Sequence, residues 1–73
     1  MSIEIRIGYG ILNDSIAEQL ATQGYKAKNV NTLEKYRKSI VQLLFAGVIT
    51  DSESDKAFGR LQKMIMGSIE PIE

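Results

Sequence analysis

Three groups of residues in this 73-residue sequence have types and spacings that could do chemistry. Gly8-Tyr9-Gly10 sits between a strand-like and a helix-like run, where backbone N–H groups could cradle a phosphate. The dinucleotide fingerprint would need a third glycine where Asn13 stands and a second strand downstream, so the segment reads as a glycine-bounded turn. Asp51, Glu53 and Asp55 alternate like calcium ligands, but a calcium loop would need glycine at Lys56 and a bidentate glutamate at Gln62. With neither present, the three acids read as the opening turn of a helix. Histidine and cysteine are absent, which removes imidazole and thiolate catalysis, the usual zinc sites and disulfides. Serine and lysine alone would need a shaped pocket that three short helices can hardly enclose. The expectation is a non-enzyme with no cofactor and no metal.

The third group is cationic. Lys26, Lys28, Lys35, Arg37 and Lys38 face only Glu34 in their stretch, although the whole chain carries nine basic and nine acidic residues. Leu20, Gly24, Val30 and Leu33 fall at spacings that imitate a helix-turn-helix. That motif turns in 3–4 residues, however, and the connection here is longer. The patch therefore reads first as a solvated face and second as a nucleic-acid contact. Arg37 is unusual because helical geometry drops it inside an apolar stripe, between Leu33 and Leu44. Three accounts fit it: snorkelling at a helix end, a buried pair with a carboxylate such as Glu18, or a contact to an anionic ligand near Tyr9.

The elements that would position these groups are mostly helical. Ser15 and Glu18 have capping-box spacing, Ile16 and Leu20 share a face, and Gly24 is placed to stop a helix over about 14–23. Lys26 to Val30 reads as a polar connection. Asn31 and Glu34 repeat the cap and predict a second helix over 32–46. Its stripe of Leu33, Tyr36, Ile40, Leu43 and Leu44 is widened by Val41 and Phe45, as in a helix contacted from two sides. Gly47 ends it, and Thr50 with Glu53 is the clearest capping box in the chain. Ala57, Phe58, Leu61, Met64 and Ile65 then predict a third helix over 51–66, antiparallel to the second because only Val48 and Ile49 separate Gly47 from Thr50. Pro71 marks the tail as non-helical.

Ile3, Ile5 and Ile7 alternate with Glu4 and Arg6, the period of a half-buried strand over 3–7. No second strand pattern is evident. A lone strand leaves its main chain unpaired, so it pairs with the same segment of a second copy, docks on a partner's sheet, or stays irregular; the first is the expectation. The fold class is thus mainly α, one small helical domain over 1–73, with three short helices and an N-terminal strand paired between subunits. So small a chain buries only about 60% of its unfolded surface, and a partner subunit is the remaining common route to stability. Gly59 with Met66, on the helix-three face that carries Lys56, Arg60 and Lys63, offers a second candidate interface. Helix-interior glycine suits close approach of another backbone.

From Leu43 to Glu53, Leu-Leu-Phe-Ala-Gly-Val-Ile-Thr-Asp-Ser-Glu, and on to Leu61, the chain resembles the short C-terminal (SHOCT) domain. That family has a leucine-rich helix end, glycine, two aliphatics, threonine, acidic residues and a second helix. Ser54 departs from it, standing where the family usually has an aromatic. The resemblance implies a small interaction or oligomerisation element without catalytic residues. The whole chain also resembles small proteins of bacterial prophages and mobile elements. No apolar run nears the roughly 20 residues of a membrane span, and the start lacks a signal-peptide pattern, so a cytoplasmic protein without membrane contact is expected. The leading reading is a non-catalytic module that binds another protein as a homo-oligomer. One alternative is a small DNA-binding regulator using the Lys26–Lys38 patch; another is a phage-type sequestering protein holding a small anionic ligand between subunits.

Overall fold

The computed structural model describes residues 3–8 and 15–72. Its order is α1 (Ile16–Thr22), β1 (Tyr25–Ala27), α2 (Val30–Phe45), α3 (Asp51–Met66) and β2 (Ile69–Pro71). The chain is mainly helical, with β1 and β2 forming a small antiparallel pair in the register Tyr25–Pro71, Lys26–Glu70, Ala27–Ile69. Lys28 N–H to the Ser68 carbonyl and Ile72 N–H to the Gly24 carbonyl, both 3.0 Å, extend that pairing at its two ends.

Local chemistry fixes the hairpin. Gly47 has φ +75°, and Val48 N–H donates to the Leu43 carbonyl at 2.9 Å while Gly47 N–H donates to Leu44 at 3.1 Å. This is the Schellman closure, which requires a left-handed residue. Thr50 then opens α3 with a complete capping box: its hydroxyl accepts from Glu53 N–H, and the Glu53 carboxylate accepts from Thr50 N–H, each at 3.1 Å. Reversal in so few residues sets α2 and α3 antiparallel. Ser54, fully buried, lies on α3 with its hydroxyl donated to the Asp51 carbonyl at 2.7 Å.

Ile16 and Leu20 of α1, Leu33 and Ile40 of α2, and Leu61 and Ile65 of α3 make the core. Leu33 lies in the first half of α2, Ile40 in its second half, and Leu61 and Ile65 in the second half of α3. At the turn end of the hairpin the apolar cover is thinner, although Ile49, Ala57 and Phe58 still pack against the core. There Leu43, Phe45 and Val48 stay 42%, 67% and 67% exposed. The molecule measures 42 × 21 × 19 Å, and its radius of gyration of 12.4 Å exceeds the about 11 Å expected of a compact chain this long.

Several expectations need correction. The second helix begins at Val30 rather than 32, with Asn29 at its cap, so Asn31 lies inside it and no side-chain cap bond forms there. Glu34 is not used for capping its own helix, because it caps α1 instead. The polar connection contains β1, and a second strand does exist at 69–71, where the short apolar–polar run is paired through turns rather than announced by periodicity. Residues 3–7 belong to no ladder; glutamine side chains stand along one edge in place of a strand.

Candidate functional site

Gln19 and Gln23 stand one turn apart on the α1 side facing the N-terminal segment. A primary amide carries a donor and an acceptor in the same relation as a peptide group. Gln23 accepts from Glu4 N–H at 2.9 Å and donates to the Glu4 carbonyl at 2.7 Å. Gln19 does the same to Arg6, at 2.5 and 2.8 Å. Helix residues four apart rise about 6 Å, near the roughly 6.6 Å between alternate strand residues, so the two amides imitate two rungs of a ladder. Gln23 Nε2 also donates to the Gln19 main-chain carbonyl at 2.9 Å, which ties the Gln23 side chain back to α1.

This pairing covers one edge only. Along an extended chain, alternate residues present their main-chain groups to opposite edges. Glu4 and Arg6 face the glutamines, and Ile3, Ile5 and Ile7 face the other way. Among the described residues, no hydrogen bond reaches the N–H or C=O groups of Ile3, Ile5 or Ile7. Their side chains are half-buried against the core, while Glu4 and Arg6 are exposed.

The far end of the segment is latched. Arg37, with only 11% of its side chain exposed, donates Nη1 to the Gly8 carbonyl at 3.2 Å and Nε to Glu34 Oε2 at 3.4 Å. Glu34 Oε1 accepts from Ile16 N–H, the first helical donor of α1. Ser15 takes another orphan donor there, accepting from Glu18 N–H at 3.1 Å. Arg37 therefore does pair with a carboxylate, but with Glu34 on its own helix rather than Glu18.

The basic residues do not converge. Lys26 lies on β1 and pairs across the ladder with Glu70 at 3.8 Å, on an exposed surface. Lys28, Lys35 and Lys38 are exposed, and helical geometry puts Lys35 and Lys38 on the side of α2 away from Arg37. Tyr9 and Gly10 lie outside the described residues. Val41 is half-buried beside the more exposed Phe45, on the Arg37 flank of α2. Gly59 and Met66 are exposed, and a Cβ at Gly59 would meet nothing within 4 Å, so no close approach inside this chain explains the glycine.

On the opposite flank of the hairpin, sequence reasoning reached Lys56 and Arg60 but not the groove they border. Tyr36, Ser39, Ile40 and Leu43 of α2, with Ile49 and with Glu53, Lys56, Ala57 and Arg60 of α3, line a groove of about 460 Å³. The signal was present in the sequence: Tyr36 and Leu43 sit on one edge of the α2 stripe, and Arg60 on one edge of the α3 stripe. Hydrogen bonding holds the Glu53 carboxyl below the ordinary carboxylate value, chiefly through the Thr50 main chain and hydroxyl, with a smaller push from Lys56. Among the described residues, no three acidic, histidine or cysteine side chains are grouped to hold a metal, and no helix is long and apolar enough to cross a membrane. Comparison of the chain with protein-family models, with curated proteins and with solved structures finds no match.

Proposed function

We propose that this protein is a non-catalytic association module, a homodimer built across the outer edge of residues 3–7, which acts by binding another protein. The observation that carries the reading is the half-satisfied segment: Gln19 and Gln23 close its inner edge, and no hydrogen bond among the described residues closes the outer one. An open edge with regularly spaced free donors and acceptors is a template for strand addition.

The sequence of that edge suits a second copy. In an antiparallel two-fold pairing centred on Ile5, Ile5 meets its mate, Ile3 meets Ile7, and Glu4 meets Arg6 in both directions. The free groups of Ile3, Ile5 and Ile7 then all find partners. Glu4 and Arg6 occupy the non-hydrogen-bonded positions, where facing side chains come closest, and opposite charges there contribute roughly 0.2–1 kcal/mol per pair. The resemblance of residues 43–61 to the SHOCT domain also supports an oligomerisation role, and so do Phe45 and Val48, left exposed at the turn end of the hairpin.

Charge exchange tests the pairing. Glu4→Arg sets like charges across the edge and should weaken the dimer about 5- to 30-fold, as ~1–2 kcal/mol implies. Glu4→Arg combined with Arg6→Glu should restore it. Sedimentation equilibrium reads both; a wild-type monomer at hundreds of micromolar, or a dimer indifferent to the exchange, would refute the reading.

A further inference from the structure

We propose that the groove between α2 and α3 is a second binding site, one that receives an acidic amphipathic helix of a partner protein. This names the partner class for the module proposed above, but the groove lies within a single chain and does not depend on dimerisation.

The floor is apolar: Tyr36, Ile40 and Leu43 from α2 and Ile49 beside the turn, with Leu43 left 42% exposed. From Tyr36 to Leu43 the floor runs about two helical turns, or roughly 10 Å. A trough between antiparallel helices at that length fits a third helix presenting residues at i, i+3 or i+4, and i+7. The polar lining then selects its charge. Ser39 donates its hydroxyl to the Lys35 carbonyl at 2.9 Å, and Glu53 is held by the Thr50 cap. Lys56 and Arg60 remain: Lys56 acts electrostatically on Glu53, and neither cation makes an ion pair among the described residues. An apolar floor rimmed by two cations against one carboxylate is complementary to a helix with leucine-like anchors and carboxylates along one flank.

Other occupants fit less well. A second copy seated groove to groove about a two-fold axis through Lys56 and Ala57 would bring Lys56 against Lys56. Nucleic acid, which extends beyond a groove of this length, would also meet Asp51 and Asp55, which do not line it.

The test is a displayed library of helical peptides of random flank charge, selected on the full chain. Enriched peptides should combine apolar anchors at helical spacing with Asp or Glu. Their binding should fall at least tenfold with Leu43→Asp and with Arg60→Glu. Peptides with lysine in place of the acid should bind Arg60→Glu better than wild type, a gain that unfolding cannot produce. No enrichment, enrichment without acidic residues, or binding unchanged in Arg60→Glu would overturn the proposal. The Glu4→Arg chain should bind the peptides as wild type does, and sedimentation should show Arg60→Glu still dimeric, so failure at the groove and failure at the edge are told apart.

Discussion

Gln23 holds both main-chain groups of Glu4, its Oε1 accepting at 2.9 Å and its Nε2 donating at 2.7 Å, so one side-chain amide stands where a neighbouring strand would. With Gln19 on Arg6, the first segment of the chain is tied to a helix without any sheet. The arrangement matters because it is one-sided. It fixes which main-chain groups are satisfied internally and which face out.

Replacing either glutamine should loosen this tie. Gln23→Ala or Gln19→Ala removes both hydrogen bonds to one residue of the N-terminal segment, which water can partly replace, so each should cost about 1 kcal/mol. Glutamate at either position keeps the size and acceptor but loses the donor, and it sets a negative charge beside a carbonyl. Amide exchange at Glu4 and Arg6 checks both, with protection falling there before it falls in α2 or α3.

The Glu34–Arg37 pair should be among the most sensitive polar groups in the molecule. Its side chains are only 18% and 11% exposed, and each also holds main chain from another part of the fold. Glu34→Ala leaves Arg37 largely buried without its counter-charge, which costs about 3 kcal/mol. That approaches the whole stability expected of so small a core. Urea denaturation measures it, and Arg37→Lys should not rescue, because the two-way reach of the guanidinium is lost.

Ser54 is buried, with its hydroxyl donated to the Asp51 carbonyl one turn back in α3. Ser54→Ala should therefore stay within about 0.5 kcal/mol of wild type. Ser54→Phe, which brings in the aromatic that the SHOCT pattern favours, should overpack the site and cost about 1–3 kcal/mol. Thermal melting of the pair separates size from polarity at this position.

Stability should carry a signature of the α3 cap. Glu53 has a lowered pKa in the folded chain, because its ionised form accepts hydrogen bonds from Thr50. A group depressed on folding contributes stability that is full above its unfolded pKa and lost as the pH falls through the folded value. Below pH ~4.5, the acid-side decline in wild type should be steeper than in Glu53→Gln. An unchanged slope in the variant would assign that decline to other carboxylates.

The helices were legible in the sequence because their signals are local. The Thr50–Glu53 box and Gly47 placed α3 at 51–66 and set the hairpin antiparallel, as observed. The misreadings share one cause, which is side chains acting across the fold. Glu34 has cap spacing to Asn31, yet it serves the N-terminus of α1, which periodicity cannot reveal. Gln19 and Gln23 look like ordinary solvent-facing helix residues until the extended segment lies beside them. The β1–β2 pair is too short for alternation to register, and Pro71 argued against helix without arguing for a strand. The half-burial of Ile3, Ile5 and Ile7 was readable from their period; the partner of their inner edge was not.

The most direct measurement is amide exchange at Ile3, Ile5 and Ile7 as a function of protein concentration, read residue by residue by NMR. Glu4 and Arg6 should be protected at every concentration, since their partners lie in the same chain. Ile5 should exchange freely in dilute solution and become protected as dimer forms, with Ile3 and Ile7 following together. A dimer in which Ile5 still exchanges at the rate of an open strand would contradict the account.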